Sequence, residues 1–316
     1  MNIDIRKPAM VSLDPEVQRI TIVDNSFKKK NLDPITSATI DTVRLVVANS
    51  IAQYMNEEMV FDTVTIYPYH PKPIYTYYED DSFVELPLSK DDISNICTAT
   101  QSDVLISIDY IDSRLKSANS SESFSRRLGS HISIAARLYS NSAELICPPI
   151  KLNRDESTQI SITEKKDSIQ NKSSKLITEN AKWVADTFVK YLIPSWEQYP
   201  RIYYTLSPKE AKEVVTLIDN NNWYKVTSIW LENYNKQKKS KKDKIKYAAN
   251  IALGYEHMDD IETSLKWINT AYDLLKENDN GDLTKQIKAY KKFLEERIKE
   301  APKLKHQLKL DNNILQ

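Results

Sequence analysis

The sequence predicts an α/β (α+β) sandwich domain over residues 1–200, followed by an all-α domain of helical hairpins with a terminal helix over residues 201–316. Three observations carry this reading. Up to Pro194, short runs with apolar residues at every second position interleave with stretches of helical period. From Ser207 to Lys299 the helical period is unbroken except by short polar turns. The chain has 316 residues, more than the roughly 100–200 of one domain, so a division in two is expected.

The elements follow in order. "RITIVDN", residues 19–25, alternates Ile20 and Ile22 with polar neighbours and reads as a buried strand. "SATIDTVRLVVANSIAQYM" then carries Ile40, Val43, Val47, Ile51 and Tyr54 at spacings of three and four, the stripe of an amphipathic helix. "FDTVTIYPY" is the next strand. Strand, helix, strand is a βαβ unit, and its handedness rule places the two strands parallel in one sheet.

"SKDDISNICTAT" opens a helix with Ser89 and Asp92 at capping spacing. "DVLISIDYID" from 103 and "HISIAARLY" from 131 alternate as two long strands, with the polar "SANSSESFSRRLGS" between them as a loose hairpin loop. A strand near "ELICPPI" is expected to end at its prolines. "SSKLITENAKWVADTFVKYLI" closes the domain as a helix with Leu176, Ala181, Val184, Phe188 and Leu192 on one face.

After Pro194 the pattern changes. Ser207 as cap, Pro208 at the first helical position and Glu210 three residues after the cap start a helix at "SPKEAKEVVTLIDNN". "WYKVTSIWLENYNK" and "LTKQIKAYKKFLEERIKE" are also helical. Between them, "YAANIALGYEHMDDIETSLKWINTAYDLL" reads as helix, short turn, helix. Its Tyr255, Ser264 and Ala271, preceded by Ile251 and Ala252, resemble the spacing of the tetratricopeptide repeat, where small residues let two antiparallel helices approach. Ala252 replaces the usual glycine, Ser264 the usual alanine, and Lys276 the closing proline. An earlier copy sets Val226 where Ser264 stands and Trp223 where Ile261 stands. Two pairs fall short of the three or more repeats that bury a continuous core, so these helices are expected to lean on the first domain.

A helical groove binds by offering apolar anchors and a few charges to a ligand that complements them. The register puts Lys246, Ala249, Leu253 and Glu256 on the concave side, with Ala211 and Val215 from the preceding pair. The alternative use of these helices is to buttress the first domain. A second candidate surface is "IYPYHPKPIYTYYEDDSF", residues 66–83, whose Tyr75, Tyr77 and Tyr78 could stack on sugars or anchor a protein. Asp80 and Asp81 beside them are the candidate carboxylates of a glycan-binding or glycan-processing role. The same segment could instead simply cover a sheet edge.

Other chemistry lacks its residues. The three glycines, Gly129, Gly254 and Gly281, are far apart, which argues against phosphate-cradling loops and the nucleophile elbow. His70, His131, His257 and His306 form no metal-binding pair. Cys97 and Cys147 sit in no metal spacing and read as packed free thiols, or as one disulfide in an oxidising compartment. With 44 basic and 44 acidic residues there is no net charge to draw nucleic acid or anionic lipid. The lysines from 236 to 246 lack interleaved aromatics and read as a solvated loop. The expectation is therefore no catalytic residues, no cofactor, no metal and no nucleic-acid partner.

"KPAM", residues 7–10, before the first strand, then a βαβ start, a closing helix and tetratricopeptide-like helices, resembles an uncharacterised family of Bacteroidetes cell-envelope lipoproteins. The first domain also resembles the N-terminal domain of TolB and of the outer-membrane lipoprotein activators of peptidoglycan synthases, which are protein-binding modules. The resemblance implies a non-enzymatic scaffold on the periplasmic side of a membrane, with an envelope protein or peptide as partner. It implies contact with the membrane only through a lipid anchor on a cysteine ahead of Met1. Without a preceding signal peptide the chain would be cytoplasmic. No catalytic residues carry over, because the family offers none.

Overall fold

The computed structural model describes residues 1–26, 34–69, 87–119, 125–161, 163–236, 239–275 and 281–308. Contacts divide the chain into two compact units, Ala9–Ile193 on one hand and Met1–Pro8 with Pro194–Gln316 on the other. The fold is α/β followed by all-α. Strand β1 (Asn2–Lys7) belongs with the helices.

The sheet unit runs β2 (Arg19–Asp24), α1 (Pro34–Glu57), β3 (Thr63–Tyr67), α2 (Lys90–Thr100), β4 (Val104–Asn119), β5 (Ser125–Ser140), β6 (Ile150–Ser161) and α3 (Lys166–Leu192). Its five strands lie in the order β3-β2-β4-β5-β6. β2 is parallel to β3, as the βαβ pattern predicts, and parallel also to β4, whereas β4, β5 and β6 are antiparallel. The apolar stripes of α1 and α3 meet one face of the sheet, where Val43, Val47, Ile51, Val184 and Phe188 bury against Ile22, Ile106, Ile132 and Ile134. Alternate residues Val23, Leu105 and Tyr139 point the other way and are covered by Ile93, Ile96 and Cys97 of α2. Ser89 caps α2 by accepting from the Asp92 amide at 3.1 Å.

Two strand expectations differ from the structure. The polar stretch 117–130 is mostly strand, because β4 and β5 stay in register from Val104↔Ser140 to Asn119↔Arg126. A hairpin ladder needs only backbone groups, so serines and arginines can carry it past the apolar core. "ELICPPI" makes a single bridge, Tyr139↔Leu145, and its prolines precede a strand instead of ending one. The strand itself, β6, buries only Ile150, Leu152 and Ile160 in twelve residues, too few for its alternation to stand out.

The helical unit opens on an antiparallel ribbon of β1 with β7 (Ser195–Pro200), registered Asn2↔Pro200 to Lys7↔Ser195. An extended stretch leads to α4 (Pro208–Asp219), α5 (Trp223–Asn235), α6 (Lys241–His257), α7 (Ile261–Asp273) and α8 (Asp282–Gln307). Small residues set the closest approaches. Ser264 and Ala271 of α7 are buried, and the Ser264 hydroxyl donates to the Ala252 carbonyl at 2.7 Å. Gly254 faces Thr227 so closely that an added Cβ would lie 1.9 Å from its Oγ1. The lysine-rich stretch is only partly loop, since Ser240 caps α6 and Lys241, Lys242, Lys244 and Lys246 lie in its first turns.

Candidate functional site

Ser207 caps α4 by accepting from the Glu210 amide at 3.3 Å, but the Glu210 side chain does not turn back to complete a capping box. It points inward. There it accepts from the Tyr247 hydroxyl at 2.6 Å and from Asn233 Nδ2 at 3.3 Å, linking α4, α5 and α6. Burial, then the hydrogen bond to Glu210, pushes the Tyr247 phenol up, so it remains a donor.

The register of the hairpin expects Lys246, Ala249, Leu253 and Glu256 to line an open concave face. In the structure the chain itself fills that face. Ala249, Leu253 and Glu256 are 5%, 0% and 2% exposed. Ala249 packs in a cluster with Ile287 and Leu294 of α8 and with Tyr204. Lys246 is half-buried with its ammonium 5.8 Å from the Tyr204 ring.

The extended residues 201–204 lie along α6 much as a bound peptide would. Asn250, fully buried, accepts from the Tyr204 amide and donates to the Tyr204 carbonyl, both at 2.8 Å. Arg201 grips both carboxylate oxygens of Glu256 at 2.8 Å. Arg297 of α8 adds a bond at 3.2 Å and the Tyr290 hydroxyl another at 2.7 Å. Burial pushes the Glu256 carboxyl up, but the Arg201 bonds and charge, with Tyr290 and Arg297, outweigh it and hold the group below the usual carboxylate range. Beside it, His257 stacks on Trp223 with centroids 3.7 Å apart, and burial lowers its pKa to about 4.

Val215 of the predicted lining is exposed, and Ala211 is half-buried. Both sit on α4, beside a groove of about 650 Å³ that α4 forms with α5. Leu217 and Ile229 give this groove apolar walls, while Lys209, Lys212, Glu213 and Glu232 supply charges of both signs. Tyr224, one residue before the lining Lys225, is 75% exposed. Tyr75, Tyr77, Tyr78, Asp80 and Asp81 lie outside the described residues.

The sheet unit has a second buried polar group. Asp109, 3% exposed, accepts from Asn25 at 2.9 Å, Ser107 at 2.6 Å and Arg137 at 2.6 Å, and burial still raises its pKa. Such a network ties β4, at its bulge, to β5 and to the residue that follows β2. Both cysteines are free thiols, and burial pushes both up. Among the described residues, no cluster of His, Cys, Asp and Glu could hold a metal, and no helix is long and apolar enough to cross a membrane.

The sequence reading missed Arg201 and Asn250. Asn250 had a signal, an amide in the middle of the apolar run "YAANIALGY" where helix propensity disfavours it. Arg201 had none, because its partner is distant in the chain.

Residues 17–204 match the family model of a domain of unknown function, DUF8603. Residues 209–296 match a second domain of unknown function, DUF6340. No curated protein matches the chain. Among solved structures, it is similar to a minor lipoprotein from Acinetobacter baumannii at 9% identity, over 54% of this chain and 89% of that one, with a TM-score of 0.32. It is similar also to uncharacterized lipoprotein B from Nitrosomonas europaea at 10% identity, over 55% of this chain and 81% of that one, with a TM-score of 0.28. For a putative neuraminyllactose-binding hemagglutinin homolog from Helicobacter pylori the identity is 11%, the shares are 57% and 84%, and the TM-score is 0.30. Likeness at this level carries no argument about what the chain does.

Proposed function

The chain belongs to the DUF8603 family, and from that premise we propose a non-enzymatic protein of the cell envelope that holds a partner protein through its tetratricopeptide-like helices. The observation that carries this reading is the groove between α4 and α5, with apolar walls at Leu217 and Ile229 and charges of both signs on its sides. An amphipathic segment fits such a surface, its apolar stripe against the walls and its flanking charges against the lysines and glutamates. This moves the partner from the concave side of α6, which the chain's own residues 201–204 and α8 occupy, to the outer side of the first hairpin. The small residues at Ser264 and Ala271 support the repeat-like reading of the helices. Placement in the envelope rests on the resemblance in the order of elements to envelope lipoproteins.

The test is photo-crosslinking in cells from residues introduced at Thr216 and Ser228 in the groove, with Lys292 on the exposed side of α8 as control. One adduct of the same mass from both groove positions, absent from the control and found in the envelope fraction, is expected. Adducts that arise equally from Lys292 would remove the groove from the proposal.

A further inference from the structure

A separate feature lies on the sheet unit, on the face opposite α1 and α3. Helix α2 covers that face near Leu105 and Tyr139, whereas Arg114, Lys116, Asp155 and Ser157, further along β4 and β6, are exposed. Two rows cross here in register, Arg114–His131–Asp155 and Lys116–Gly129–Ser157. Neighbouring strands are about 4.8 Å apart and rows two residues apart about 7 Å, so these six residues surround one small area. They border a depression of about 410 Å³.

Gly129 makes the floor. A glycine inside a strand weakens it, and its presence commonly marks a bulge, a bend or the close approach of a ligand. No bulge or bend accounts for this one. The register across β4, β5 and β6 is unbroken around it, its φ is not positive, and an added Cβ would meet only the Lys116 and Glu156 carbonyls at 3.7 and 3.9 Å, ordinary contact distances. What the missing side chain provides is space on the exposed face.

The groups around that space are set for two kinds of contact. Arg114 is tethered through Nε to Asp112 at 2.7 Å, and its terminal amino groups have no partner among the described residues. The Lys116 ammonium has none there either. Opposite them, His131 Nδ1 lies 2.9 Å from Asp155 Oδ1, and Ser157 adds a hydroxyl. Cations stand on β4, Asp155 and Ser157 on β6, and between them β5 carries His131 beside the bare floor of Gly129.

We propose that this depression binds an acidic sugar. Lys116 and Arg114 take its carboxylate or phosphate by charge-assisted hydrogen bonds, and Asp155, His131 and Ser157 take its hydroxyls. The site is independent of the helical groove, so either proposal can fail alone.

The test is a titration of the full chain followed through the amide resonances of Gly129 and His131, with D-glucuronate, glucose 6-phosphate, glucose and inorganic phosphate as probes. Saturable shifts with glucuronate or glucose 6-phosphate are expected, and whichever of the two binds tighter names the anion. Glucose should bind about tenfold more weakly, as should the better acidic sugar to Lys116→Gln, the loss of one charge-assisted bond. Gly129→Val should abolish the shifts while the thermal midpoint holds. Gly129→Ala, whose Cβ fits by the distances above, should weaken them if valine disturbs the strand. Equal binding of glucose, phosphate bound as tightly as its sugar ester, full affinity in both glycine variants, or no saturable shift would each overturn the proposal.

Discussion

Arg201 holds Glu256 through two parallel hydrogen bonds of 2.8 Å, joining the residue after β7 to the last turn of α6. An acid at a helix C-terminus opposes the helix dipole, and this one is also fully buried. Its stability depends on cations arriving from elsewhere in the chain. Arg201 supplies one and Arg297 of α8 the other, and the Arg201 guanidinium also lies 4.2 Å from the Phe293 ring.

Glu256→Ala should therefore destabilise the protein by about 3–5 kcal/mol, the usual cost of stranding buried charge by removing its partner. Surface logic applied to the sequence alone would put the cost within about 0.5 kcal/mol. Urea midpoints decide between the two. A loss near the lower figure would mean that water reaches Arg201 and Arg297 in the folded protein.

His257 should impose an acid dependence on stability. Its pKa falls from 6.5 in the open chain to about 4 in the folded one, so between those values the unfolded state holds the extra proton. Its contribution is complete above pH 6.5 and is lost as the pH falls toward 4. Glu256, lowered from the usual carboxylate value, adds a loss at more acidic pH. His257→Phe, which keeps a ring against Trp223, should flatten urea midpoints between pH 6.5 and 4.5. An unchanged slope would assign the dependence to other groups.

Gly254→Ala should cost about 1–3 kcal/mol through overpacking, because the new Cβ meets a short, buried side chain, and Thr227 Oγ1 is itself bonded to the Trp223 carbonyl at 2.8 Å. Adding Thr227→Ala should recover part of the loss, leaving a Cβ-to-Cβ approach of 3.1 Å. Strict additivity in thermal denaturation of the double variant would mean the two residues do not meet.

Trp230, 1% exposed, should cost about 3–5 kcal/mol when cut to alanine. Trp267 is only half-buried, edge-on to Tyr234 at 5.2 Å, and should cost less. Reversed ranking in equilibrium unfolding would show that α7, not α5, holds the hairpins together.

Local rules explain what could be read in the sequence. Ile40 to Tyr54, the Ser89 cap, the face of α3 and the Ser207–Pro208 start are encoded within a few turns and fold as their patterns say. The ends of β4 and β5 and most of β6 are ladders of polar residues, where hydrogen bonds between strands leave no apolar period to detect. The β1–β7 ribbon depends on a pairing that no window of sequence contains. The candidate site on α6 failed for a related reason. Periodicity tells which residues of a helix share a face, and Ala249, Leu253 and Glu256 do have a common burial, but whether a partner or the same chain covers them is decided by Arg201, Tyr204 and α8.

The β1–β7 ribbon also imposes an order on folding. β1 is separated from its partner β7 by the whole sheet unit. Closing so long an open loop carries an entropic cost that slows folding. Folding of residues 9–193 removes much of that cost, because the Val11 amide donates to the Tyr191 carbonyl at 2.8 Å and brings the two ends of the insert together. The chain is thus expected to complete its sheet unit first and to pair β1 with Ser195–Pro200 afterwards. A chain truncated near residue 193 should protect the sheet amides from exchange while leaving those of Asn2–Lys7 unprotected.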